Sequence, residues 1–352
     1  MKPNKFKAFT LTYLLFLGLI YSYSAKAQTE TVDTLVHVIE NFSDQFLNRH
    51  QDTSYIGNYR SEIAIKLQAL GKFNYITLKD QSSETSVKYI PVRDLRIGVG
   101  FAYKYTAVDL NIGLGLSKNS QIEDFKSFDV RARVYTSKQY VNTFLQFYQG
   151  YRISEQKGID LSPDYSLGTR SDLRSIHMGF QYLYAVNYNK FSLKAPFVFN
   201  ETQRKSAGSF LFGANFNILI IDADSSLAAI NTQGAFGNEL HLHDLNNLSL
   251  GINAGYMFTY VFKENFFATF SLIPGVIYNN GDYAINERKS IPTQFNARLK
   301  TMNSIGYNSR RFFTGLTFEG EGYWIKIADN QRTEITHGLA SVFVGYRFKG
   351  KN

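Results

Sequence analysis

The chain has 352 residues, no cysteine, 38 Lys and Arg against 29 Asp and Glu (net +9), and 24 Tyr and 30 Phe beside a single Trp. The lack of cysteine excludes disulfides, thiolate metal sites and a lipoprotein signal, which needs a cysteine for its lipid. The charge excess is mild and forms no basic run, so nucleic-acid binding has no support.

Residues 1–27 read as an export signal. Lys2, Lys5 and Lys7 make a basic start, Leu11 to Ile20 an apolar core, and Ala25-Lys26-Ala27 a small-x-small cleavage pattern. That apolar run is shorter than the ~20 residues of a spanning helix, so cleavage after Ala27 is expected. Removing the four leader lysines from the 38 basic residues leaves 34 against 29 acids, a net +5.

Residues 28–60 form an N-terminal helix and linker. Val32, Leu35, Ile39, Phe42 and Phe46 recur at spacings of three and four, one face of a short amphipathic helix, and Thr31 or Asp33 can cap it. This periplasmic helix would pack on its own sheet or close one end of a barrel; binding a partner is the alternative.

From residue 61 to 349 the period is two. Ile63, Ile65 and Leu67 alternate, Leu70-Gly71 is expected to be a bulge, and Thr85 to Pro91 is a short extra extended piece. In the hairpin Leu95 to Leu116, Leu95, Ile97, Val99, Phe101, Tyr103 and Tyr105 oppose Arg96, Gly98, Gly100, Ala102 and Lys104. After the turn, Val108, Leu110 and Ile112 oppose Asp109, Asn111 and Gly113. The same apolar-against-polar alternation recurs near residues 129–134, 142–153, 176–187, 209–220, 248–260, 295–300, 312–321 and 340–348. The apolar face has the character of a lipid face, the polar one of a barrel interior.

The connections alternate too. Tyr105–Ala107, Ser137–Tyr140, Phe262–Asn265 and Tyr307–Arg310 are short, whereas Asp80–Asp94, Ser117–Asp124, Ser154–Asp172, Asp222–Asn247, Asn279–Pro292 and Ile325–Glu334 are longer and polar. Periplasmic turns and outer loops sort in this way. Outward rings at the short-turn ends (Tyr103/Tyr105, Tyr184/Tyr188, Phe258/Tyr260, Tyr307, Tyr346/Phe348) make an interfacial girdle. The expected fold is all-β: a transmembrane antiparallel up-and-down β-barrel of about twelve strands (ten to fourteen), each near the ~10 residues of a tilted spanning strand. One connection breaks the rule: Asn189 to Gly208 lies on the short-turn side yet spans about twenty residues. A full strand there would make the count odd, so it is read as a plug or periplasmic-mouth segment bearing Lys194, Glu201, Arg204, Lys205 and Ser206.

Ser206 to Leu211 (SAGSFL), with Asp52 to Ile56, the Leu95–Tyr105 strand and Phe266 to Gly275, resembles a Bacteroidetes family of exported proteins catalogued as domain of unknown function 4421, over roughly Asp52 to Phe348. The resemblance implies an outer-membrane location in a Gram-negative bacterium. It brings no activity and no catalytic residues.

Candidate chemistry is sparse. His241-x-His243 has the spacing of a metal pair, but with Asp244 as its sole nearby partner a solvated loop is the expectation and no metal is assigned. Ser175 and His177 face inward together, yet no G-x-S-x-G elbow accompanies them, so a lipid hydrolase is kept only as an alternative and no catalytic residue is assigned. The remaining inward polar residues form an expected lumen network: Arg96, Lys104, Asp109, Asp129, Arg131, Arg133, Arg152, His177, Arg298, Lys300, Glu319, Glu321 and Arg347. Burial of unmatched charge is costly, so these should pair.

The reading is a porin-like binding or transport barrel for a small anionic or amphipathic molecule. The alternative is a plugged structural or assembly barrel that binds a partner through its loops or helix. No cofactor is expected; the partners are the lipid bilayer, a small-molecule or lipid ligand and the barrel-assembly machinery.

Overall fold

The computed structural model describes residues 51–91, 96–103, 126–136, 138–158, 168–228, 236 and 240–349, together with the backbone of 106–113. The expected export signal and N-terminal helix lie outside the described residues.

The strands, in chain order, are β1 (Ile56–Asn58), β2 (Ile63–Asp80), β3 (Thr85–Pro91), β4 (Arg96–Tyr103), β5 (Thr106–Gly113), β6 (Lys126–Tyr135), β7 (Gln139–Lys157) and β8 (Thr169–Ala185). They continue with β9 (Glu201–Gln203), β10 (Ala207–Asp222), β11 (Asp244–Phe262), β12 (Phe266–Ala284), β13 (Arg288–Ser290), β14 (Gln294–Asn308), β15 (Phe312–Ala328) and β16 (Gln331–Phe348). Apart from the small β1–β9 pair, they belong to one antiparallel sheet that closes when β16 pairs with β2, from Gln331↔Asp80 to Phe348↔Ile63. Closure leaves no free edge around the ring.

The barrel has two circumferences. Toward one end β2 pairs with β4 over Ala64–Leu70, and β7 pairs with β6 over Tyr140–Gln149. Toward the other end both strands change partner. The single strand β3 takes Ile76–Asp80 of β2 and Tyr151–Lys157 of β7. A ring of ten strands therefore widens to twelve where β4, β5 and β6 replace β3.

The outward faces show which part meets lipid. On β16, Ala340, Val342, Val344, Tyr346 and Phe348 point out at one end, while Arg332, Glu334 and Thr336 point out at the other. Roughly nine residues of apolar face match the height of a spanning strand. At the lower rim of this belt the rings touch in series: Tyr260, Phe262, Phe266, Tyr307 and Phe312 are each 5.1–6.3 Å from the next between centroids. Tyr260 and Tyr307 are girdle residues the alternation predicts, and Phe262, Phe266 and Phe312 join them; they lie on the wider, twelve-strand end, which also carries the Asn189–Gly208 segment. We call it the plug end and the other the cap end.

Above the belt the polarity inverts. Ile76, Leu78, Tyr89, Tyr151, Leu173, Ile221, Tyr323, Ile325 and Ile335 face inward and pack with loop residues Leu227, Ala228, Phe236, Leu240 and Leu242 in one buried core. The strands are accordingly longer than the expected ten residues. β15 and β16 join through Asp329 and Asn330 alone, in place of the expected Ile325–Glu334 loop, and β12 runs to Ala284, well into the expected Asn279–Pro292 loop. Their outward residues here are polar because they stand clear of lipid.

Two local expectations are corrected. The β2–β16 ladder passes through Leu70↔Ser341 and Gly71↔Ala340 without a shift, so Leu70-Gly71 is not a bulge and Leu70 faces in. A bulge does occur in β7, where Gly150 adopts φ 89° and the register to β8 shifts between Gln149 and Tyr151. Glycine takes that left-handed conformation at no steric cost. Beyond it Tyr151 and Ile153 turn inward and Arg152 turns out, so Arg152 is exposed and leaves the lumen network.

Arginine at the bilayer midplane costs about 2–4 kcal/mol and near nothing outside the belt. Ile252→Arg, at an outward position 71% exposed within the belt, should therefore sharply lower the heat-modifiable folded fraction. Thr336→Arg, exposed on β16 above the belt, should leave it unchanged. Equal yields of the two variants would mean the belt is misplaced.

Candidate functional site

The plug end is closed by the Asn189–Gly208 segment, folded into the lumen. Phe197 and Val198 donate their backbone N–H to the Lys194 carbonyl, closing a tight turn. Ser192 Oγ accepts from the N–H groups of Lys194 (3.2 Å) and Ala195 (3.1 Å) and donates to Glu201 (2.5 Å). Phe191, Leu193, Phe197 and Phe199 then join Leu211, Met257, Phe313 and Phe343 in a second buried core. Phe199 sits at φ 63°, a region bulky residues avoid. Its ring lies 4.9 Å from Phe313 and 4.4 Å from Phe343, and its carbonyl accepts from Arg347 Nε at 2.6 Å. Those contacts hold it there. Arg347 also donates to Asn308 and to the Ser309 carbonyl, so this expected lumen residue clamps the plug to the rim.

Glu201 anchors the segment. It is fully buried and meets Arg60 (Nε 2.9 Å), Lys194 (3.8 Å) and Gln51 (3.4 Å). Burial pushes its carboxyl up, but Lys194, Arg60 and the Ser192 hydroxyl outweigh that and hold it below the usual Glu value. Burial pushes the Lys194 ammonium down to about 8, with Glu201 opposing. The other expected plug residues stay at the surface. Arg204 Nη1 reaches the Thr53 carbonyl (2.8 Å), Lys205 lies 5.2 Å over the Tyr55 ring, and Ser206 Oγ accepts from Val261 N–H (2.9 Å).

Between the two cores lies a charged layer. Arg298 grips Glu321 with Nε and Nη2, both at 2.7 Å. Lys300 and His337 stand 4.0 and 3.8 Å from the same carboxylate, and Gln181 donates to it. Glu319 takes Arg133 at 2.8 Å and Arg131 at 3.8 Å. Asp129 pairs with Lys72 (2.7 Å) and accepts from Gln146 and Tyr148, each at 3.0 Å. His177 is fully buried, its ring 4.7 Å from His337 and 4.9 Å from Phe144. The structure thus brings Asp129, Arg131, Arg133, His177, Arg298, Lys300, Glu319 and Glu321 together as the alternation predicts. Arg96 reaches Ser127 Oγ at 3.5 Å; Lys104 and the Asp109 side chain lie outside the described residues.

Ser175 and His177 do not form a nucleophile–base pair. The Ser175 hydroxyl bonds to Tyr151 at 2.6 Å, and neither His177 ring nitrogen has a hydrogen-bond partner. His241 Nδ1 lies 3.4 Å from Ser226 Oγ, and no group of three His, Asp or Glu is placed to hold a metal among the described residues.

Beside the charged layer is a cavity of about 280 Å³. Among the described residues Lys66, Lys72, Arg131 and Arg133 line it together with Asp129 and Glu319. Phe197, Phe199, Leu339 and Phe343 supply an apolar wall. Lys66 and Lys72 were missed by the sequence reading. They are in phase with Ala64 and Gln68 on β2, and the supposed bulge at Leu70-Gly71 had concealed that phase for Lys72.

The Glu201 pairing stabilises the docked plug above the ordinary carboxylate range, ~4.3, and that stability is lost as pH falls through the lowered value. Hydrogen exchange of residues 189–206 should therefore accelerate on acidification below about 4 in the wild type. Glu201→Gln should exchange faster already at neutral pH, with a flatter acid dependence. Identical profiles would refute the anchoring role.

No curated protein matches the chain. Among solved structures it is similar to the Escherichia coli outer membrane protease OmpT, at 7% identity and a TM-score of 0.38 over 82% of this chain and 97% of that one. It is also similar to the Pseudomonas putida toluene transporter TodX, at 9% identity and a TM-score of 0.25 over 81% and 89%. The third is the Pseudomonas aeruginosa outer membrane protein OprG, at 13% identity and a TM-score of 0.24 over 83% and 98%. A family model matches residues 50–348, and the chain, a closed β-barrel with a plugged, charged lumen, belongs to the family described as Domain of unknown function (DUF4421).

Proposed function

We propose that this protein is a non-enzymatic ligand-binding barrel of a Gram-negative outer membrane, holding a small amphipathic anion within its wall. The observation that carries this reading is the cavity, which sets four cationic side chains, Lys66, Lys72, Arg131 and Arg133, beside an apolar wall of phenylalanines. Its volume lies just below the ~300–1,000 Å³ of small-molecule sites. Charges within a membrane are expensive and mark functional positions by default. A carboxylate or phosphate head would meet these cations, with its apolar part against Phe197, Phe199 and Phe343. The barrel-assembly machinery would insert the chain, and the export signal at residues 1–27 would be cleaved after Ala27.

A second reading, a structural or assembly barrel, draws on the packing of both ends, by the plug at one and by Leu227, Leu240 and Leu242 at the other. The two readings differ in whether the cavity is ever filled. Titration of the purified protein with cis-parinarate, a fluorescent acyl carboxylate, should give saturable binding. The variant Lys66→Gln should weaken it several-fold while remaining heat-modifiable. Absence of saturable binding by the wild type would favour the structural reading.

A further inference from the structure

On the outward face at the cap end, three cations stand in one line across three strands. Lys326 of β15 lies directly opposite Arg332 of β16, and Arg332 directly opposite Lys79 of β2. Like charges placed directly across a sheet destabilise it. Acidic neighbours relieve this only in part. Glu334 is shared by Arg332 and Lys79, at 2.8 Å from each, and Lys326 turns to Asp329 at 2.9 Å. Asp329 is itself 99% exposed, and an ion pair in open solvent contributes little. The side chains of Lys326, Arg332 and Lys79 keep 41, 29 and 37% of their surface accessible.

This line runs into the edge of the lipid face. Barrel strands tilt, so the apolar belt climbs from one strand to the next. On β16 it ends at Ala340, but on β12 and β14 it reaches Tyr278 and Phe295, which pair across the ladder with their rings 5.4 Å apart. Phe295 is 73% exposed. Continuing the β14–β15 register from Arg298↔Tyr323 sets Phe295 beside Lys326, and Gln294 bonds both main-chain groups of Lys326, at 2.9 and 2.7 Å. Trp324, the chain's single tryptophan, is the next outward residue of β15 toward the belt, and the Arg332 guanidinium lies 5.6 Å from its ring. Tryptophan and tyrosine mark the level where hydrocarbon gives way to head groups.

We propose that this face of β15, β16 and β2 binds the phosphorylated head group of a membrane lipid. Phosphate oxygens bridge Lys326, Arg332 and Lys79 and put negative charge between the opposed cations, with the planar guanidinium offering two parallel N–H donors. The acyl chains descend past Trp324 and Phe295 into the belt. A free phosphate ion would make no use of that apolar flank, whereas a lipid meets both. The site lies on the outside of the wall and does not depend on the cavity or its ligand.

Because Trp324 is the sole tryptophan, its emission reports on the site directly. The full chain, folded in dodecylmaltoside micelles, is titrated with lipid A (a glycolipid bearing two phosphates), with dioleoylphosphatidylcholine and with inorganic phosphate. Lipid A should shift the emission saturably, and the other two should not. Lys79→Gln/Lys326→Gln, which leaves Arg332 beside the ring, should weaken the midpoint at least ten-fold in heat-modifiable protein. Glu334→Gln, which removes the shared carboxylate, should tighten it several-fold. Lys263→Gln/Arg310→Gln, at exposed plug-end turns, should leave it unchanged. No response of the wild type to lipid A, an equal response to inorganic phosphate, or equal losses in the two double variants would overturn the proposal. If Lys79→Gln/Lys326→Gln does not fold, an unchanged midpoint in Glu334→Gln overturns it instead. The parinarate titration of the cavity stands apart from all of these outcomes.

Discussion

The interior of this barrel is organised around two carboxylates one strand-repeat apart. Glu319 and Glu321 stand on β15 between the ten-strand and twelve-strand levels, and each is met by cations from other strands: Arg133 and Arg131 from β6, Arg298 and Lys300 from β14. Removing one partner from such a group leaves a buried charge uncompensated, at a cost of about 3–5 kcal/mol. The layer thus fixes how β6, across the lumen, sits against β14 and β15. Lys72 of β2 extends the layer by its pair with Asp129, and the cavity lies beside it.

Above and below that layer the lumen is filled by apolar packing of two different origins. At the cap end the strands themselves invert, turning Ile76, Leu78, Ile325 and Ile335 inward to pack with residues from the loops. At the plug end a segment borrowed from the β8–β10 connection supplies Phe191, Leu193 and Phe199. A twelve-strand circumference is too wide for its own side chains to fill as an eight-strand barrel does. Narrowing to ten strands through β3 lets the cap end close on its own residues, while the wider end requires the inserted segment.

Much of this was legible in the chain. Period-two alternation placed the lipid face of β4, β10, β11 and β16 correctly, the rings at the short turns marked the girdle, and the overlong Asn189–Gly208 connection announced the plug. What escaped depends on non-local partners. The inward Ile325 and outward Lys326 alternate as a membrane strand does but with the phase reversed, and phase alone does not say where the bilayer stops. The Gly150 bulge flips Arg152 outward through one residue in a left-handed conformation, which no pattern of apolar residues reveals. β3 looked like an accessory because its value lies in joining β2 to β7, two strands far apart in sequence.

Among the described residues a packed apolar core fills the lumen at each end, which leaves no continuous aqueous path along its axis. Single-channel recording of the purified full-length protein in planar bilayers tests it most directly. The account predicts verified insertion without steps of ionic conductance. Reproducible conductance steps from the wild-type protein would contradict it, because ions would then be crossing both apolar cores.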